Sequence, residues 1–362
     1  MIAAMCFATA PTIRSSSPLG IELSPYAATG SPFFMSPSSD TTSVMDKLPC
    51  TRQSPQSLSY STPGALQHAG WSATIRGMAG RTSQKTLITG AHGQLGRSLM
   101  AACSARGVAY EGRDIDTLDI CDASAVRQWI VGARPSVVVN TAAFTAVDAC
   151  EDNEEQATAV NGLAVGHLAA ACNEVGALLI QISTDYVFPG DANLPYREED
   201  LVAPTSAYGR SKLNGEAFAR SAHRHLVVRT AWLYGRGGRN FVEAIRTQID
   251  AGAPSLKVVA DQHGCPTFCN DLSDAVLDLA AIGSTGTVHA VNSGNTTWHG
   301  FALEIARLLG SAVTIVPVAT GDVPRPAPRP PYSVLDSTRL ETALGRPMPP
   351  WQDGLRRYLE QP

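Results

Sequence analysis

From Lys85 onward, short apolar runs alternate with stretches whose apolar residues recur at helical spacing. Thr86–Thr89 reads as a buried strand and Gln94–Arg106 as the helix after it. Val108–Glu111, Ser136–Asn140 and Ala177–Ile182 read as further strands. Between the last two lies a long helical stretch, 151–175, with Ala159, Leu163, Val165 and Leu168 on its apolar positions. Strands that are continuous apolar runs, separated by helices, predict a parallel sheet covered on both faces. Right-handed crossovers make it an α/β fold of the Rossmann type, a doubly wound parallel sheet.

Residues 1–77 break this pattern. They hold fourteen serines and eight prolines, and few apolar residues at regular spacing. Such a segment buries too little surface to offset its ordering entropy, so it is expected to be a disordered tail. Its apolar opening, Met1–Ile13, lacks the cationic start of a secretory signal. A start assigned too far upstream is preferred to a Ser-rich transit peptide, with Met78 as the natural beginning.

Composition narrows the function classes. A formal net charge of -4 gives no reason to expect a nucleic-acid partner. No charge-free run is long enough to span a bilayer, so no membrane association is expected. Only Cys265 and Cys269 among the eight cysteines lie close together, and no second pair follows, so buried free thiols are expected rather than a metal site. That usage suits a reducing cytoplasm.

Directly after the first strand comes Gly90-Ala91-His92-Gly93-Gln94-Leu95-Gly96, opening a helix. A tight turn, a close backbone approach to a pyrophosphate and close helix–strand packing each remove a Cβ. The free N–H groups of the new helix then suit a diphosphate. In this strand–turn–helix context the motif predicts dinucleotide binding, with His92 a variable loop position. At the adenosine end, Glu111 could accept from a ribose hydroxyl and Arg113 could meet a 2′-phosphate, which leaves both NADH and NADPH open. Asp122 is expected to cap the helix beginning at Ala123.

A second constellation follows. The strand through Ile182 runs into Ser183-Thr184-Asp185, and Tyr208 and Lys212 lie four apart at the start of a helix, on one face. Reducing a ketone requires a proton donor for the developing alkoxide. A free phenol is a poor acid–base group at neutral pH, and a neighbouring ammonium is expected to move Tyr208 toward the working range. Thr184, at the carboxyl end of a strand, offers a hydroxyl to polarise the carbonyl.

Several stretches then resemble one family. Val139-Asn140-Thr141-Ala142-Ala143-Phe144-Thr145-Ala146-Val147-Asp148, Ser183-Thr184-Asp185-Tyr186-Val187-Phe188, Arg229-Thr230-Ala231-Trp232-Leu233-Tyr234, Asp261-Gln262-His263-Gly264-Cys265-Pro266-Thr267 and Arg329-Pro330-Pro331-Tyr332-Ser333 resemble segments of the dTDP-4-dehydrorhamnose reductases, extended short-chain dehydrogenase/reductases. The similarity runs from about Lys85 to Tyr358. It implies a catalytic Thr184, Tyr208 and Lys212. It implies cofactor contacts from Gly90, Gly93, Gln94, Leu95 and Gly96 at the diphosphate, Asp119 and Ile120 at the adenine end, and Ala142, Ala143 and Phe144 between, with Tyr208 and Lys212 at the nicotinamide. Thr184, Asp185 and Trp232 would contact the sugar nucleotide; core packing is the alternative for Trp232. Asp261 and Gln262 could line the nucleotide pocket or order their loop.

The implied architecture is an NAD(P)-binding Rossmann domain over 84–235 and a smaller C-terminal α/β substrate domain, mainly 236–362, with segments returning to the sheet. The implied reaction is NAD(P)H-dependent reduction of the C4 ketone of dTDP-4-dehydro-β-L-rhamnose to dTDP-L-rhamnose. The rivals are another nucleotide-sugar reductase or epimerase, and a non-catalytic dinucleotide-binding regulatory subunit. Some family members dimerise through magnesium held by carboxylates. The matching positions here are Ser98 and Asn270, so a homodimer, if formed, is expected not to depend on magnesium, and no metal site is expected.

Overall fold

The computed structural model describes residues 85–360, so the expectations for residues 1–77 lie outside it. Six parallel strands form the central sheet: β1 (Thr86–Thr89), β2 (Tyr110–Arg113), β3 (Val137–Asn140), β4 (Leu178–Thr184), β5 (His225–Thr230) and β6 (Gly286–His289). Their spatial order is β6-β5-β4-β3-β1-β2. The chain leaves β1 to one side for β2 and returns to the other for β3. The crevice at the carboxyl ends of β1 and β3 is therefore a topological switch point, where sheets of this kind bind ligands.

Both faces of the sheet are buried, which is why its strands read as unbroken apolar runs. Ile88, Val139, Ile180 and Val228 face helices α1 (Gln94–Ala105) and α5 (Cys269–Ala281) through Leu99, Leu272 and Val276. The alternate residues Leu87, Val138, Leu179 and Val227 face α2 (Ala123–Ala133) and α3 (Ala164–Val175) through Val126, Ile130, Leu168 and Cys172. Helix α4 (Ala207–Ala219) lies beside α3, and Ser206 caps it by accepting from the Gly209 N–H at 3.1 Å.

A further apolar cluster gathers Tyr234, Val242, Ile245, Phe268, Phe301, Trp351 and Leu355. It covers a parallel pair, Ser255–Val259 with Thr314–Val318, and the helices Phe241–Asp250, Trp298–Leu308 and Trp351–Glu360. The chain returns to the main sheet in between, as α5 and β6.

Two elements differ from the sequence reading. The second strand lies two residues later than expected, because the Val108 N–H still closes the turn after α1 by bonding Cys103, and pairing begins only where the Thr86 N–H meets the Ala109 carbonyl. The stretch 151–175 is not one helix. It divides into Val147–Asp152, Glu154–Thr158, a π-helical turn Ala159–Leu163, and α3.

Candidate active site

The glycine turn has the geometry of a phosphate cradle. Gly90 has φ +64°, and a Cβ there would lie 2.7 Å from the Ala142 nitrogen at the end of β3. A Cβ on Gly96 would run into the Gly90 carbonyl, so α1 packs on the turn only without one. No side chain caps α1 at Gly93, unlike α2 at Asp122 and α4 at Ser206, so its first N–H groups stay directed at the crevice. These features fit a dinucleotide diphosphate.

The side chains that follow take other work. The Gln94 amide oxygen accepts from the Gly235 N–H at 2.8 Å and from Asn240 Nδ2 at 3.0 Å, and its Nε2 donates to the Arg239 carbonyl at 3.2 Å. Leu95 is buried in the core. Only their backbones face the turn. Ile120 is likewise buried, its carbonyl beside His167 Nδ1, whereas Asp119 is exposed and accepts from the Cys121 N–H. His92 is exposed, and its N–H is held by Asp114. Asp122 caps α2 through Ser124 and Ala125, as the sequence suggested.

Within β2 the Glu111 carboxylate has three donors. It accepts from Lys85 at 2.6 Å, Trp129 Nε1 at 2.6 Å and Arg113 Nε at 3.1 Å. The Lys85 ammonium leads in holding its pKa below the usual carboxylate range. The Arg113 guanidinium lies over Trp129, 5.0 Å from the ring centre.

Asn161, which the sequence reading passed over, fixes the segment Ala142–Phe144. Its Oδ1 accepts from the Phe144 N–H at 2.8 Å, and its Nδ2 donates to the Phe144 carbonyl at 3.0 Å and to Ser211 Oγ at 2.9 Å. Asn161 sits in the π-helical turn, and its amide reaches Ser211 on α4. The segment is thereby tied to the helix that carries Tyr208 and Lys212.

Thr184 ends β4, and its hydroxyl donates to Asp185 Oδ1 at 2.9 Å and lies beside the Tyr208 phenol. Lys212 is buried, and its ammonium donates to the Ile182 carbonyl at 2.7 Å. Burial lowers its pKa to about 8, against the pull of Glu216. Asp185 is buried too, and its Oδ2 makes no hydrogen bond among the described residues. Burial raises its pKa to about 6, against the hydroxyls of Ser333 and Thr184. Tyr208 moves opposite to the expectation. Burial first, and then the Asp185 carboxylate, push its phenol above the ordinary value, with Thr184 opposing. Removal from water dominates the shift, and the nearest charge acting on the phenol is the Asp185 carboxylate, which opposes ionisation as well.

Helix α4 is anchored by an ion pair that sequence reading also missed. Glu216 accepts from Arg229 Nε at 2.8 Å and Nη2 at 2.9 Å, and from Ser183 Oγ at 2.7 Å, joining α4 to β4 and β5. The only sequence hint is that Glu216 lies one turn beyond Lys212 on the same face. Asp148 and Arg329, quoted in separate motifs, meet at 2.9 Å, and Arg329 lies over Tyr186, which packs edge-on against Tyr208.

Trp232 is half-buried and stacked on Trp298. Asp261 orders its loop: it accepts from the Thr320 N–H and hydroxyl, and Gln262 donates to the same hydroxyl. Cys265 and Cys269 are free and buried. Ser98 Oγ donates to Asn270 Oδ1 at 2.9 Å. Among the described residues, no helix is long and apolar enough to cross a membrane.

Residues 84–362 match the family model of the RmlD substrate binding domain. The chain is 46% identical over 277 residues to a dTDP-4-dehydrorhamnose reductase of Streptomyces griseus, covering 74% of this chain and 91% of that one. This chain belongs to the dTDP-4-dehydrorhamnose reductase family. It is also 43% identical over 276 residues to a probable dTDP-4,6-dihydroxy-2-methyloxan-3-one 4-ketoreductase of Streptomyces antibioticus, covering 75% of this chain and 92% of that one. Its fold superposes with a TM-score of 0.75 on a dTDP-4-dehydrorhamnose reductase of Bacillus anthracis solved in complex with NADP, 36% identical, covering 77% of this chain and 99% of that one.

Proposed function

We infer that the protein reduces the C4 ketone of dTDP-4-dehydro-β-L-rhamnose to dTDP-L-rhamnose with a nicotinamide cofactor. The observation that carries this reading is the meeting of Thr184, Asp185, Tyr208 and Lys212 at the carboxyl end of β4, in a reductase-family chain with a glycine cradle at the switch point beside it.

The bound cofactor supplies the hydride. Backbone N–H groups of the turn from Gly90 to Gly96 hold its diphosphate, and Ala142, Ala143 and Phe144, braced by Asn161, line its middle. Asp119 and the Ile120 backbone serve its adenine end. Glu111 already accepts from Lys85, Trp129 and Arg113, and Arg113, paired with it, is the cation ending β2 and suited to a 2′-phosphate, so NADPH is assigned over NADH. Lys212 holds the nicotinamide ribose. On the substrate, Thr184 donates to the ketone oxygen, and Tyr208 delivers its proton to that oxygen as the alkoxide forms. A phenol held above its ordinary pKa stays protonated until an alkoxide, a stronger base still, is present. Asp185 offers its unpartnered oxygen to a sugar hydroxyl, and Trp232 contacts the nucleotide sugar. The reducing cytoplasm is the compartment assigned, in keeping with the free thiols.

The Streptomyces antibioticus relative favours one second reading, a different dTDP-4-keto sugar as substrate with the same chemistry. Cofactor oxidation tests both. Stoichiometric loss of NADPH with dTDP-4-dehydrorhamnose is expected, several-fold faster than with other dTDP-keto sugars. Turnover with no net cofactor loss would mark an epimerase, and no turnover would mark a non-catalytic subunit.

A further inference from the structure

Trp232 has φ +47°, one of two described non-glycine residues in the left-handed region. A bulky residue adopts that conformation only where its surroundings impose it, and such positions gather at functional sites. Here the surroundings are specific. The Thr267 N–H donates to the Trp232 carbonyl at 3.2 Å. The Trp232 indole lies on that of Trp298, centres 3.5 Å apart and planes within 5°. A Cβ on Gly264 would strike the Trp232 indole, so the chain passes that close only as glycine. One ladder brings both clamps together, since Thr296–Thr297 pairs antiparallel with His263–Gly264 and Trp298 opens the next helix. Phe241 braces Trp298, at 4.7 Å. Trp232 in turn packs against two apolar clusters, the one around Phe268 and Phe301 and the one around Val187 and Phe188, just after Asp185.

We propose that Trp298 is a positioning residue for the reaction: by stacking on Trp232 it holds that indole, in a backbone conformation it would not otherwise keep, at the mouth of the sugar-nucleotide site. The proposal rests on the reading that Trp232 contacts the substrate. The stack on Trp298 and the close pass of Gly264 together restrict the orientation of the Trp232 indole. Loss of the stack is therefore expected to act on substrate affinity, with the Gln94–Gly235 contact to the cofactor turn left in place.

The test measures KM for dTDP-4-dehydrorhamnose, kcat and the dissociation constant of NADPH in Trp232→Ala, Trp298→Ala, Trp298→Phe and the double alanine variant. Trp298→Ala should raise KM roughly three- to tenfold, the worth of an aromatic pair, with kcat and NADPH affinity nearly unchanged. Trp298→Phe, which keeps a stacking ring and safeguards folding, should recover most of the loss. The double variant should be no worse than Trp232→Ala, because the two residues act through one indole. The exciton signal of the stacked pair in circular dichroism should vanish equally in either single alanine variant. A raised KM in Trp232→Ala with a normal one in Trp298→Ala overturns the proposal, as do additive losses in the double variant. A normal KM in Trp232→Ala overturns the underlying reading and the proposal with it.

Discussion

Tyr208 shows how one residue is tuned by its neighbours. Its phenol is half-buried beside the Asp185 carboxylate, and desolvation and that charge both oppose ionisation. That suits a proton donor in the reductive direction. Tyr208→Phe should therefore keep NADPH binding, measured by titration, and lower kcat by roughly 10²–10⁴-fold; near-normal turnover would remove Tyr208 from the mechanism. The same cluster sets a pH dependence. Asp185, raised to about 6, accepts well only when ionised, so kcat/KM should rise as pH climbs through that value. Lys212, lowered to about 8, is cationic only below it, so kcat/KM should fall as pH climbs further. Asp185→Asn should abolish the acid limb and leave the alkaline one; a profile unchanged in that variant would assign the limb elsewhere. The spacing of Tyr208 and Lys212 was legible because one helical face is a local property. The direction of the tyrosine's shift was not, since it depends on burial and on Asp185, which arrives from another element.

Between residues and fold lie the elements that aim them. The turn from Gly90 to Gly96 could be read from sequence because its glycines answer steric demands within seven residues. The break in the stretch 151–175 could not. The π-helical turn carries Asn161, whose bonds to Phe144 and Ser211 are tertiary contacts. Asn161→Ala would leave the Phe144 N–H and carbonyl without these partners, a loss of about 1–3 kcal/mol. Thermal unfolding should show a lowered melting temperature, and the NADPH dissociation constant should rise about tenfold as the Ala142–Phe144 segment loosens. An unchanged dissociation constant would show that the segment is held without Asn161. The Glu216–Arg229 pair is of the same kind. Its partners lie thirteen residues apart on α4 and β5, and Arg229→Met should destabilise by about 1–3 kcal/mol in chemical denaturation, because the buried Glu216 carboxylate then keeps only Ser183 and Arg220.

At the scale of the molecule, the parallel sheet was legible because strands buried on both faces leave an unbroken apolar signature. The return of α5 and β6 to that sheet was foreshadowed only by resemblance, since its cause is the apolar surface of α1 that α5 covers. That same docking of α5 on α1 brings Ser98 to Asn270, where each satisfies the other. Two neutral groups bonded to each other are poor ligands for magnesium, which favours carboxylates and retained water. Chelation with EDTA should leave both turnover and mass in solution unchanged; a dimer that splits on chelation and reforms with magnesium would place the metal on other carboxylates. The proposed reaction turns on the route of a single hydride. The most direct measurement is reaction with NADPH deuterated at the transferable nicotinamide position, followed by NMR of the sugar. One deuterium at C4 of dTDP-rhamnose is expected for each NADPH consumed. Product without deuterium at C4, or formed without cofactor consumption, would contradict that route.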